Sequence, residues 1–95
     1  MPDDTLDVSA SREASGPRVV LYTARDCGLC VTATAALERL ATRHGFAWTA
    51  VDIASDPALE RCYLLEVPVV SVDGVDVCRG ALDAVAVRRA VLGQT

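Results

Sequence analysis

Between residues 18 and 44 the hydrophobic period changes from two to nearly four. That switch constrains the fold more than any other feature. Arg18-Val19-Val20-Leu21-Tyr22-Thr23 is a run of β-branched and aromatic residues bounded by Gly16-Pro17, which reads as a strand. After Cys27, residues Ala33, Ala36, Leu37, Leu40, Ala41 and His44 fall on one stripe of an amphipathic helix. Stepping that stripe back by three reaches Cys30, and Gly45 closes the helix as a C-cap. The sequence Cys27-Gly28-Leu29-Cys30 therefore lies where a strand turns into a helix.

The remaining punctuation extends the pattern. Phe46 to Ile53 alternates with period two and predicts a second strand. Asp56-Pro57 pairs an N-cap with the residue best tolerated at the first helical position, opening a short helix to about Leu64. Val67 to Val72 predicts a third strand, Asp73-Gly74 a hairpin turn, and Val75 to Arg79 a fourth strand. Asp83 caps a last helix, Ala84 to Leu92, before Gly93. The order β-α-β-α-β-β-α implies a parallel pair with a right-handed crossover plus an antiparallel hairpin. The expected architecture is an α/β, thioredoxin-like fold with a four-stranded mixed sheet.

Ninety-five residues make one small domain, and a 52% hydrophobic composition with 4% aromatics points to a core of Val, Leu and Ala. Such a core does not depend on its four cysteines for stability. All nine basic residues are arginine against 13 acids, and no basic patch offers an electrostatic footprint for nucleic acid. Apolar runs are too short to span a membrane. Residues 1–17 are rich in Asp, Ser and Ala, lack an apolar leader core, and are expected to be a disordered tail before the domain at 18–95. The expected location is the cytoplasm, as a monomer, where a CxxC serves catalysis or metal binding more often than as a static disulfide.

A helix N-terminus presents unpaired N–H groups and the positive end of the helix dipole, and both favour a thiolate at Cys27. Cys30, one turn on and continuous with the apolar stripe, is sheltered. Spacing of i, i+3 brings the sulfurs within bonding reach, so Cys27 reads as nucleophile and Cys30 as resolving thiol. Gly28 leaves room for a substrate and Leu29 adds an apolar contact. Arg25 favours the thiolate and Asp26 opposes it.

Val67-Pro68 is the second constraint. Proline cannot donate to a sheet ladder, so it belongs at the edge or start of the Val-rich third strand. A cis Val67–Pro68 bond would turn the chain there and leave the Val67 backbone unpaired for an extended substrate.

Residues 18–92 resemble the glutaredoxin-like branch of the thioredoxin superfamily, and within it the short bacterial glutaredoxin-like proteins. The resemblance rests on VVLYTARDCGLC, VDIASDP, VPVVSVDG and RGALD. It implies that Cys27 attacks, Cys30 resolves, and Val67 before a cis Pro68 binds the backbone of the substrate or of glutathione. Gly28-Leu29 replaces the Pro-Tyr pair of a standard glutaredoxin, and Arg79-Gly80 replaces its glycine pair. Asp83 is the candidate for the acid whose helix start receives a glutathione carboxylate, though ordinary N-capping explains it better. The family also places a helix-ending glycine where this chain has Leu64.

The expected function is a thiol–disulfide oxidoreductase that reduces disulfides through a mixed disulfide. No bound cofactor and no metal is expected. The reductant is glutathione or a thioredoxin-reductase-type donor, and the substrate a protein disulfide or a glutathione mixed disulfide. The competing reading is a non-catalytic binding module whose CxxC is a redox switch or metal ligand pair. A closed zinc site lacks a second CxxC, and a copper carrier would place Met where Arg25 stands and end on a strand. Cys62 reads as a small apolar residue of the second helix, and the facing of Cys78 is open. His44 is expected to pack or to complement the helix dipole, and Phe46 and Trp48 to pack.

Overall fold

The computed structural model describes residues 17–93. Its elements are β1 (Val19–Thr23), α1 (Gly28–His44), β2 (Trp48–Asp52), α2 (Pro57–Tyr63), β3 (Val69–Val72), β4 (Val75–Arg79) and α3 (Ala84–Val91). This is the expected order, with one addition, a 3-10 turn at Ile53–Ser55. The tail expected over 1–17 lies, apart from Pro17, outside the described residues.

One four-stranded sheet runs in the order β2-β1-β3-β4. β1 pairs parallel with β2 and antiparallel with β3, and β3 pairs antiparallel with β4. Val19 and Leu21 alternate toward a core completed by Ala33 and Leu37 of α1, Val70 and Val72 of β3 and Val87 of α3. Fully burying a leucine such as Leu21 or Leu37 contributes roughly 1.5–3 kcal/mol. Tyr22 points to the opposite face and stacks on Tyr63 of α2, ring centroids 4.7 Å apart. Every residue of β3 is buried, as a strand covered on both faces requires.

Local chemistry sets the boundaries. Gly45 takes the left-handed conformation (φ 74°), and the N–H groups of Gly45 and Phe46 both donate to the Ala41 carbonyl. That bond keeps Phe46 in the helix cap, so β2 begins at Trp48 and not at Phe46. β2 also stops before Ile53, because the Asp52 carboxylate accepts the Ala54 N–H at 2.9 Å and starts the 3-10 turn. Asp73 and Gly74 both have positive φ (53° and 85°), the geometry of a two-residue hairpin turn matched to the sheet twist. Leu64 avoids the left-handed region expected of a glycine there, continuing α2 in right-handed geometry (φ −50°, ψ −42°). β3 starts at Val69 and not at Val67, and α3 ends one residue early at Val91.

Candidate active site

β1 delivers the chain to a turn in which Asp26 holds φ 53°, a conformation Asp tolerates better than most residues. Cys27 then forms the extended N-cap of α1. Its Sγ accepts the Cys30 N–H at 3.1 Å, and its carbonyl accepts the N–H groups of Cys30 and Val31. A sulfur here occupies the place a Ser or Asp oxygen takes in an ordinary cap. Cys27 and Cys30 are joined as a disulfide with Cα atoms 5.2 Å apart, inside the usual range. Cys30 is buried and Cys27 half-buried, a difference that leaves one sulfur open to attack. Once reduced, the N–H bond and the helix dipole stabilise negative charge on the Cys27 sulfur.

An open hollow of about 490 Å³ borders the pair on its β2 side, lined by Thr23, Ala24, Asp26, Gly28, Val31, Thr34 and Ala50 with the two cysteines. Arg25, Gly28 and Leu29 are exposed around it. A methyl group at Gly28 would meet no atom within 4 Å, so the fold does not require glycine there.

Val67-Pro68 stands on the other side of Cys27. Val69 pairs with Tyr22, which sets the cis Val67–Pro68 bend beside the end of β1 from which the cysteine loop springs. Pro68 is fully buried. The expectation of an unpaired Val67 backbone is half right. The Val67 N–H donates to the Tyr63 carbonyl at 3.0 Å, because α2 runs on through Leu64 and carries the chain round in an extra turn. No hydrogen bond among the described residues engages the Val67 carbonyl.

Gly80 and Asp83 are both committed to the fold. The Gly80 N–H is shared between the carbonyls of Glu66 (2.8 Å) and Pro68 (2.9 Å), tying β4 to the proline bend. Its φ of +80° explains why the residue is glycine. The Asp83 carboxylate accepts the N–H groups of Val85 and Ala86, both at 3.1 Å, as a conventional cap.

A polar cluster that the sequence did not reveal braces the same bend. Arg79 pairs with Glu66 and, at 3.1 Å, with Asp76, while the Tyr63 hydroxyl donates to the Asp76 carboxylate at 3.2 Å. Burial, then the charge of Asp76, pushes the Tyr63 hydroxyl above the usual tyrosine range. Glu66, foremost, holds the Arg79 guanidinium above its ordinary value. Residues three apart on a strand normally face opposite ways. A register shift between Val70 and Ser71 in the β3–β4 pairing puts Asp76 and Arg79 on one face, and no local pattern announced it.

Cys62, read as a small apolar residue of the second helix, is exposed on α2. Cys78 is half-buried against the core, as are Phe46 and Trp48, and His44 lies half-buried in the last turn of α1. Among the described residues no group of three or more His, Cys, Asp or Glu could hold a metal ion. No described helix is long and apolar enough to cross a membrane.

With this geometry in place, the family model of the glutaredoxin-like domain (DUF836) matches residues 18–92. The chain belongs to that glutaredoxin-like family. No curated protein matches it. Among solved structures, protein XcR50 from X. campestris is 33% identical, with TM-score 0.60, over 81% of this chain and 99% of that one. Protein Ne2328 from Nitrosomonas europaea is 22% identical, with TM-score 0.71, over 96% of this chain and 99% of that one. Fasciola hepatica thioredoxin is 20% identical, with TM-score 0.60, over 95% and 91%. The glutaredoxin-like domain thus has the thioredoxin-like fold expected of it, with a Cys27–Cys30 pair at bonding distance.

Proposed function

We propose that this glutaredoxin-like domain is a thiol–disulfide oxidoreductase. The observation that carries the reading is the position of Cys27: a half-exposed sulfur that caps α1 and accepts an amide N–H, beside a buried partner one turn along. In the reduced protein the Cys27 thiolate attacks one sulfur of a substrate disulfide. A Cys27–substrate disulfide forms, and the other substrate sulfur leaves as a thiolate that takes a proton. Cys30 then loses its proton and attacks Cys27 Sγ, releasing the second substrate thiolate. Two electrons pass to the substrate, and the protein is left in the disulfide form seen here.

Val67, Pro68, Gly28, Leu29 and Arg25 form the surroundings in which that substrate would be held, Gly80 and Asp83 supporting them from the β4–α3 side. A reducing compartment such as the cytoplasm suits a pair that must be returned to the dithiol. The test is the rate of exchange: reduced protein added to insulin, or to bis(2-hydroxyethyl) disulfide, with loss of disulfide followed over time. Acceleration well above the rate of free cysteine is the expected result. A rate no higher than free cysteine would leave only a passive redox switch.

A further inference from the structure

We propose that the partner exchanging electrons with Cys27–Cys30 is a polypeptide dithiol or disulfide and not free glutathione. This inference rests on the oxidoreductase reading and names its partner class. A small peptide thiol bearing two carboxylates binds where cations or unengaged N–H groups converge. β4 runs antiparallel to β3, with Arg79 opposite Val69, so the β4–α3 loop lies at the same end of the strands as the cysteine loop. Several of the donors at that end are already engaged. The Val67 N–H is held by the Tyr63 carbonyl, and the Gly80 N–H by Glu66 and Pro68. Those of Val85 and Ala86 are held by Asp83. The Arg79 guanidinium is held by Glu66 and Asp76. Arg25 is the further cation there, with Asp26 next to it in the chain. A carboxylate arriving at any of these groups would displace a satisfied acceptor, trading one bond for another at little net gain.

What the site does offer suits a chain segment. The Val67 carbonyl is unengaged among the described residues and can accept a backbone N–H from an extended partner. Leu29 and Val31 are 58% and 71% exposed beside the cysteines, and Leu65, in the loop leading to Val67, is 94% exposed. Ala24, Val31 and Ala50 give the adjoining hollow an apolar stretch beside its Thr23, Thr34 and Asp26, room for an apolar side chain next to the partner's cysteine. Exposed apolar residues thus lie within and just after the cysteine motif and in the loop before the proline bend, as a protein contact requires.

In the recharging direction a partner thiolate attacks Cys27 Sγ, the Cys27–Cys30 bond breaks, and Cys30 leaves as a thiolate that is protonated. The partner's second thiol, deprotonated, attacks the partner sulfur of the mixed disulfide and releases Cys27. Two electrons and two protons move from the partner dithiol, which ends as a disulfide. Its second thiol is already tethered at high effective concentration, whereas glutathione would need a second molecule.

The experiment follows reduction of the oxidised full chain by gel shift after thiol alkylation. The reductants are glutathione, 2-mercaptoethanol, dithiothreitol and a bacterial thioredoxin kept reduced by its reductase. With thiolate fractions corrected, glutathione should react within about 3-fold of 2-mercaptoethanol and linearly with concentration. Thioredoxin should saturate and exceed dithiothreitol by about 100-fold per mole. The variants Leu29→Ser and Val31→Ser should lower the thioredoxin-to-dithiothreitol rate ratio by about 5-fold each. Saturation by glutathione, thioredoxin no faster than dithiothreitol, or an unchanged ratio in both variants would each overturn the proposal while leaving the oxidoreductase reading in place. If dithiothreitol itself leaves the pair oxidised, the oxidoreductase reading falls and takes this proposal with it.

Discussion

Two helix N-termini in this domain solve the same problem with different atoms. At α3, the Asp83 carboxylate accepts two backbone N–H groups, and the cap is complete. At α1, a sulfur of Cys27 takes the corresponding role with a single N–H, from Cys30. A carboxylate cap is chemically inert and spends its charge on the helix. A sulfur cap is weaker as a cap, but the same N–H and dipole that it satisfies favour its thiolate form, as the proposed role requires. Closely similar cap geometry therefore yields an inert cap at α3 and, on the proposed reading, a reactive one at α1.

The sharpest way to break the comparison is to make the two caps alike. Cys27→Ser keeps an N-cap oxygen, so α1 should persist and the thermal midpoint should stay within a few degrees of that of the reduced wild type. Disulfide reduction should nevertheless fall by about 10³-fold or more, since serine cannot take part in thiol exchange. Circular dichroism beside the insulin assay separates the two effects. Residual turnover above about a tenth of wild type would show that the sulfur at the cap is not the attacking group. Cys30→Ser should instead retain the first attack and stall there. The expected product is a stable Cys27–substrate adduct, visible by mass spectrometry and reversed by dithiothreitol. An adduct on Cys62 or Cys78 in its place would refute the assignment of roles.

The next effect in size lies in the packing that holds both caps at one end of the strands. Leu37→Ala removes a fully buried side chain at the centre of the core shared by α1, β1, β3 and α3. A loss of about 2–5 kcal/mol is expected, a large part of the stability of a domain this small, read from urea unfolding. Asp83→Ala should cost less, about 1 kcal/mol, because it removes only a cap. A stability loss near zero at Asp83 would mean that its carboxylate serves something other than the helix.

Some of this organisation was legible in the chain because it is local. Asp56-Pro57, Gly45 and Asp73-Gly74 act through their own backbone preferences, and each sits where those preferences put it. The strand-to-helix switch likewise placed Cys27 at the cap and Cys30 on the buried stripe. What was hidden depends on residues distant in sequence. The Val67 N–H is lost to Tyr63 because α2 overruns through Leu64, and the cluster of Arg79, Asp76, Glu66 and Tyr63 exists because of a strand irregularity. Phe46 was misplaced for a related reason: alternation continues through a helix cap that only its hydrogen bond to Ala41 reveals.

The smallest expected effect concerns that hidden cluster, and its sign follows from Tyr63. The hydroxyl is held above its ordinary value of 10.0 by burial first and by Asp76 second, so the folded state favours the neutral phenol. Stability from this preference is fully present below the unfolded tyrosine value and is lost as pH rises through the higher folded one. Wild-type protein should therefore lose stability above about pH 10 through this group, in addition to whatever other groups contribute. Tyr63→Phe keeps the ring stacked on Tyr22 but removes the titrating hydroxyl, so the alkaline decline should be shallower in the variant. Urea unfolding of both proteins between pH 7 and about pH 11 measures the difference in slope. Parallel curves would mean that neither the burial of the hydroxyl nor its bond to Asp76 is maintained in solution. The bend at Val67-Pro68 would then be braced only by the Gly80 amide, the Tyr63 carbonyl and the Arg79–Glu66 pair.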